Sequence, residues 1–198
     1  MLIAGREERT LDLLTFQNTL LVPLLSPRNG VGVAQVGATI FAFGGTRKGP
    51  LTVCEKCSVT LTDWLPLPHM HFARAHFTPT FFKVLLYLVS TRAQDCRAVE
   101  SFSPYTETFT VLPVSLPADM ELCWDSVTFV ANGELTLLTA GRQVVSWKIE
   151  KEAGFRVSDT DRECFSLRPP LIVGTLVYIA NECSQKVEKW SLEMERFI

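Results

Sequence analysis

Residues 40–49 read "IFAFGGTRKG": an apolar run with two aromatics, a glycine doublet and a polar tip. Either this is one strand entering one turn, or it is one copy of something the chain repeats, and the choice decides the fold. Comparable runs lie along the whole sequence: "MLIAG" ending at Gly5, "LLYLVS" ending at Ser90, "LTLLTAG" ending at Gly141 and "TLVYIAN" ending at Asn181. Each is apolar and ends in small residues, so the stretch is a repeat.

A second feature follows each run. An extended segment ends in a bulky residue, and another bulky residue comes about seven positions later: Cys57 with Trp64, Phe102 with Phe109, Trp147 with Phe155 and Trp190 with Phe197. The first members advance in steps of 45, 45 and 43 residues, and one step back from Cys57 reaches Leu13 with Leu20. Ahead of the apolar runs stand "GVGVAQVG" (Gly30–Gly37), "AHFTPTFF" (Ala75–Phe82) and "WDSVTFVAN" (Trp124–Asn132). Each unit reads strand, tight turn, strand ending in small residues, loop, strand, tight turn, short fourth strand. Val, Phe, Thr, Leu and Tyr fill these runs, with Gly, Asn, Asp, Ser and Pro at their borders. "ERTLDLLTF" and "QKVEKWSLEMERF" would pass as short helices on periodicity. Both share their repeat position with "AVESFSPYTETF", whose Ser-Pro is a poor helix interior, so strands are expected there too.

Four antiparallel strands at this period are the signature of a propeller blade. One blade cannot bury both of its faces, so blades pack against one another around an axis. The expected fold is all-β, a propeller of about five blades of four antiparallel strands within a single array spanning 1–198. Its approximate units are 1–24, 28–68, 73–115, 122–158 and 163–198, the first beginning at its second strand. The ring could be five-bladed, a fragment of a larger one, or completed by another chain. An open array would expose faces and edges and favour self-association. Closure could come from "ERFI" joining the outside of the first unit.

Composition narrows the function. Hydrophobic residues make up 47% and charged residues 20%, with a formal net charge of -2, which describes a folded protein. The 19 basic residues are scattered among 21 acidic ones, against a nucleic-acid partner. "MLIAG" lacks the basic flank and length of a signal peptide, and "PPLIVGTLVYIA" (Pro169–Ala180) is about half of a bilayer crossing. A soluble, cytoplasmic chain without a membrane span is expected. Six cysteines without dense spacing fit a reducing compartment.

The repeat resembles the kelch family, whose units carry a glycine doublet after the second strand, an aromatic followed six or seven residues later by tryptophan, and a proline-containing turn leading to an arginine. Gly44 and Gly45 match the doublet, Trp64 the tryptophan, and "WLPLPHMHFARAH" carries the turn into Arg74. "LLSPRNGVGVAQVGATIFAFGG" (Leu24–Gly45) is the best match, with Arg28 in the arginine position. The resemblance spans nearly the whole chain in spacing, and its first half in motif letters. Elsewhere the doublet has become Val89-Ser90, Ala140-Gly141 and Ala180-Asn181, and Phe109, Phe155 and Phe197 replace the tryptophan. Propellers with Gly-His and Trp-Asp pairs share the period, but those pairs are absent here and "CWDS" is out of phase.

Catalytic and metal patterns are sparse. Cys54 and Cys57 with His69 and His71 have the residue types for zinc, but two cysteines three apart on a strand point to opposite faces. His69, His71 and His76 fall in one short stretch and read as loop residues between blades. Copper ligands spread over several blades, as some kelch-like oxidases require, are not available from three tyrosines and clustered histidines. "DTDRE" (Asp159–Glu163) and "GREER" (Gly5–Arg9) read as solvated loops, and "GTRKG" (Gly45–Gly49) as an exposed tip that lacks a phosphate-loop pattern.

What remains is surface. The longest connections between second and third strands, Thr46–Thr52 and Thr91–Arg97, resemble loops that line the partner face of kelch-like adaptors, which puts Arg47, Lys48, Arg92 and Asp95 forward as contact residues. The expected role is a non-enzymatic protein-interaction module without cofactor or metal: a scaffold, an adaptor, or a subunit of a larger complex or cytoskeletal assembly. The alternative is an enzyme or small-molecule binder that uses the axial channel.

Overall fold

The computed structural model describes residues 9–11, 18–20, 23–58, 63–90, 97–118, 120, 127–131, 133–139, 143–149, 155–159, 171–173, 176–181, 186–191 and 196–197. Every regular element among them is a β-strand. A two-stranded antiparallel sheet pairs β1 (Arg9–Leu11) with β2 (Asn18–Leu20). Four antiparallel sheets of four strands follow in chain order. The first contains β3 (Gly32–Val36), β4 (Thr39–Phe43), β5 (Cys54–Ser58) and β6 (Leu65–Leu67). The second contains β7 (Thr80–Phe82), β8 (Leu85–Leu88), β9 (Ala98–Ser103) and β10 (Thr108–Ser115). The third contains β11 (Val127–Ala131), β12 (Glu134–Leu138), β13 (Gln143–Lys148) and β14 (Arg156–Asp159). The fourth contains β15 (Leu171–Val173), β16 (Leu176–Asn181), β17 (Lys186–Ser191) and β18 (Arg196–Phe197). The all-β reading and the four-strand unit are both present. No helix among the described residues is long and apolar enough to cross a membrane.

The apolar runs at β4, β8 and β12 are interior strands sealed on both faces, which is why they lack a polar alternation. Along β4, Ile40 and Ala42 face one side with Cys57 and Trp64, while Phe41 and Phe43 face the other with Leu86, Leu88 and Phe102 of the second sheet. β8 and the residue after it divide in the same way: Leu86 and Leu88 turn back to the first sheet, and Tyr87 and Val89 turn forward to Leu135, Leu137, Val145 and Trp147 of the third. Phe129, Leu138 and Val144 then meet Val177, Ile179 and Trp190 of the fourth. The four sheets are thus stacked face to face in chain order. Phe102 packs between the first two, its ring 5.5 Å from Phe41, 5.2 Å from Phe43 and 4.7 Å from Phe109. Fully burying one such side chain stabilises by about 2–3 kcal/mol, with a further increment from edge-to-face contact.

The seven-residue spacing has a geometric origin. Phe102 and Phe109 are direct cross-strand partners in the β9–β10 hairpin, as are Trp190 and Phe197 between β17 and β18. Leading hairpins turn in two residues, Gly37-Ala38 in the first sheet and Lys83-Val84 in the second, with Gly37 and Lys83 both at positive φ.

Two expectations are corrected. The strand expected over Ala75–Phe82 is confined to Thr80–Phe82, because Pro79 has no N–H for the ladder and His76 sits at φ 55°. Arg196 and Phe197 of the closing strand "ERFI" pair with Ser191 and Trp190 of their own sheet and not with β1 or β2, the described strands of the first unit.

The fourth strands β6, β10 and β14 carry exposed residues. β10, eight residues long, pairs with β9 through Val111 and again only at Ser115, leaving Leu112, Pro113 and Val114 in a bulge. At the opposite edges, β7 and β11 touch, and the Thr80 hydroxyl donates to the Thr128 carbonyl at 3.4 Å.

Candidate functional site

The connections that leave β4 and β6 and enter β3, β5 and β7 gather at one end of the first two sheets. Backbone hydrogen bonds join three of them. Asn29 and Thr46 exchange N–H and carbonyl at 3.0 and 2.7 Å, and Gly45 donates to the Arg74 carbonyl at 2.8 Å. Arg74 donates to the Leu51 carbonyl at 3.1 Å, Met70 to that of Thr52 at 3.0 Å, and His76 to that of Gly30 at 2.7 Å. The glycine doublet makes this possible. Gly44 and Gly45 lie at φ 56° and 102°, and a Cβ on Gly44 would stand 2.3 Å from the Arg74 carbonyl oxygen, one on Gly45 2.8 Å from that of Asn29. Only residues without a side chain let neighbouring loops pass so near.

Beneath these loops lie two buried ion pairs of the same design. Arg28 bonds Glu55 on β5 and donates through Nε to the Gly44 carbonyl, both side chains being sealed from solvent. The N–H of Leu25 donates to Glu55 Oε2 at 2.8 Å. Forty-six residues after Arg28 comes Arg74, whose Nη2 donates to Glu100 Oε2 on β9 at 3.0 Å and to the Ala98 carbonyl at 2.8 Å, with Nη1 donating to Ser90 Oγ at 2.7 Å. Glu100 Oε1 also accepts the N–H of His71 at 2.8 Å and lies 2.9 Å from its Nδ1. Ser90 stands where the first unit has glycine, and its hydroxyl fills a valence that stays empty there: Arg28 Nη2 is buried without a hydrogen-bond partner. In the third unit Val145 takes the glutamate position, two residues ahead of Trp147, and is wholly buried.

The candidate zinc ligands do not converge. Cys54 packs toward the second sheet and Cys57 toward the opposite face, each with its thiol on a main-chain carbonyl, so the two cannot share an ion. Burial pushes the Cys54 thiol up to about 12, so it is a poor nucleophile at neutral pH. His69 Nδ1 meets the Thr52 hydroxyl at 3.2 Å, His71 is held by Glu100, and the His76 ring packs over Gly30. No group of three or more metal-ligating side chains occurs among the described residues.

Of the expected contact residues, Arg47 and Lys48 sit exposed at the tip of the β4–β5 connection, whose base is closed by a bridge between Thr46 and Pro50. Arg92 and Asp95 lie outside the described residues. Sequence reasoning missed Glu55 and Glu100. Each follows an arginine by 27 or 26 residues and precedes the bulky strand residue by two, and that recurrence was the available signal.

No family model and no curated protein matches the sequence. The fold, by contrast, recurs in 241 solved chains, too wide a distribution to carry a function by itself. One of them, described as the structure of YjhT, superposes with a TM-score of 0.67 at 13% identity, over 90% of this chain and 66% of that one. The chain thus spans just under two thirds of that protein's length, and at this identity the likeness concerns the fold alone.

Proposed function

We propose that the chain is a divergent kelch-like propeller of about five blades, the first incomplete, acting in the cytoplasm as a non-enzymatic protein-interaction module. It serves as a scaffold, an adaptor or a subunit of a larger assembly. Sheets stacked face to face in chain order, with first strands β7 and β11 adjacent and exposed residues on the fourth strands β6, β10 and β14, support the propeller reading. The interaction reading rests on one observation. At the loop-built end, the side chains of Glu55, Glu100, Arg28 and Arg74 and the Cys54 thiol are all buried within the fold, whereas Arg47 and Lys48 stand open to a partner at the tip.

Affinity capture with the whole chain, alongside the double variant Arg47→Glu/Lys48→Glu, tests this. Proteins retained by the parent chain and lost from the variant support an interaction module working through this end. A metabolite that raises the melting temperature, with no protein captured, would assign the chain to small-molecule binding instead. Light scattering at several concentrations reports closure: a compact monomer indicates a ring that closes on itself, and a dimer or larger species one completed by other copies.

A further inference from the structure

The three loop segments joined at this end, 23–31, 44–53 and 68–79, contain no Asp or Glu. They contain Arg28, Arg47, Lys48 and Arg74, besides three histidines. Two carboxylates reach in from the strands beneath, Glu55 and Glu100, and each is consumed by a buried arginine. Arg28 and Arg74 are thereby neutralised and hidden, whereas Arg47 and Lys48 are exposed. His69, also exposed, is tied through Nδ1 to Thr52 at the foot of the same connection. The chain as a whole carries a net charge of -2, so these three segments run against the sign of the molecule.

From this we infer that the end of the stack bearing Arg47 and Lys48 is a docking surface for an acidic peptide segment of a protein partner. The inference rests on the interaction-module reading and adds the partner's chemistry to it. Adjacent exposed cations, mounted on a base held by paired backbone hydrogen bonds within three segments that carry no Asp or Glu, attract an anionic segment and lose little backbone freedom on meeting it. Hydrogen-bond capacity comes with the charge: the Arg47 guanidinium matches a carboxylate in two-pronged geometry. A peptide is favoured over a polynucleotide because the exposed cations here are Arg47 and Lys48 alone among the three segments, too few for an extended phosphate backbone.

Fluorescence anisotropy with three labelled probes tests this directly: a poly-glutamate peptide, a poly-lysine peptide of equal length, and a single-stranded oligothymidine. The intact chain is expected to bind poly-glutamate in preference to the other two, more weakly as salt rises. Arg47→Glu/Lys48→Glu is expected to weaken that binding by on the order of tenfold or more, while Lys83→Glu, on a turn at the far end of the second sheet, leaves it unchanged. Both sites are exposed tips, and unchanged thermal melting verifies that the variants fold. Binding that survives in the double variant would overturn the location, and stronger binding of oligothymidine would overturn the partner class. If poly-glutamate shows no advantage over poly-lysine while proteins are still captured through Arg47 and Lys48, the acidic preference fails and the interaction reading stands.

Discussion

Arg74 and Glu100, which bridge from the segment ahead of β7 to the middle of β9, meet at 3.0 Å with both side chains wholly shut off from water. A pair so placed carries a large desolvation cost, recovered only because the remaining polar atoms are also partnered: Ser90, Ala98 and His71 complete the set.

Removing one member should therefore cost more than removing both. Glu100→Ala is expected to destabilise by about 3–5 kcal/mol by stranding the arginine charge, whereas Arg74→Met/Glu100→Leu should cost distinctly less. Urea denaturation of Arg74→Met, Glu100→Leu and the double variant closes the cycle. Additive losses would mean that the two side chains do not act as a pair.

Gly44 and Gly37 share a positive φ and differ in their surroundings. A Cβ on Gly37 meets nothing within 4 Å, while one on Gly44 meets a neighbouring carbonyl at 2.3 Å. Gly37→Ala should cost about 1 kcal/mol from backbone strain alone, and Gly44→Ala more than about 2 kcal/mol, because backbone must also move. Equal losses in denaturation would refute the close approach of the loops.

Lys83 holds φ 56° in the turn where the first sheet uses Gly37. Lys83→Gly is expected to raise stability by up to about 1 kcal/mol, read as a higher melting temperature, since glycine occupies that region without strain. A lower melting temperature would show that the lysine's contact over the Phe82 ring, 5.4 Å from its centroid, outweighs the strain.

Cys54, with its thiol raised from 9.0 to about 12 by burial, should resist alkylation in the native protein at about pH 8 and react once unfolded, as located by mass spectrometry of the peptide. The folded form holds its proton more tightly than the unfolded form does. The stability this gives is whole below pH 9 and declines between pH 9 and 12, and Cys54→Ala should flatten that decline. Rapid native labelling would place the thiol at the surface instead.

The strand order was legible because hydrophobic spacing reports hairpin geometry: the seven residues from Phe102 to Phe109 are the distance between cross-strand partners. Both faces of β4 and β8 are buried, so their runs stood out without alternation. The ion pairs were half legible. Arg28 and Arg74 stood out through the turn motif, but Glu55 sits beside Lys56 and between two cysteines in "CEKCS", where a charged residue reads as solvent-facing unless its arginine, 27 positions earlier, is considered with it. Contacts between distant parts of one repeat unit are invisible to a window one strand wide. Segment 75–79 was misread as strand for a local reason, the missing donor of Pro79.

The bulge at Leu112, Pro113 and Val114 has a bearing on how this protein survives at high concentration. β10 is the longest strand among the described residues and lies on an outward edge, where a regular row of free donors and acceptors would recruit strands from other molecules. Pro113 deletes a donor from the middle of that row, and the bulge breaks its spacing. The second sheet thus ends in an interrupted rail, and Pro113→Thr is expected to make it a seed for aggregation, read as faster growth of light scattering in concentrated solution than the parent chain shows.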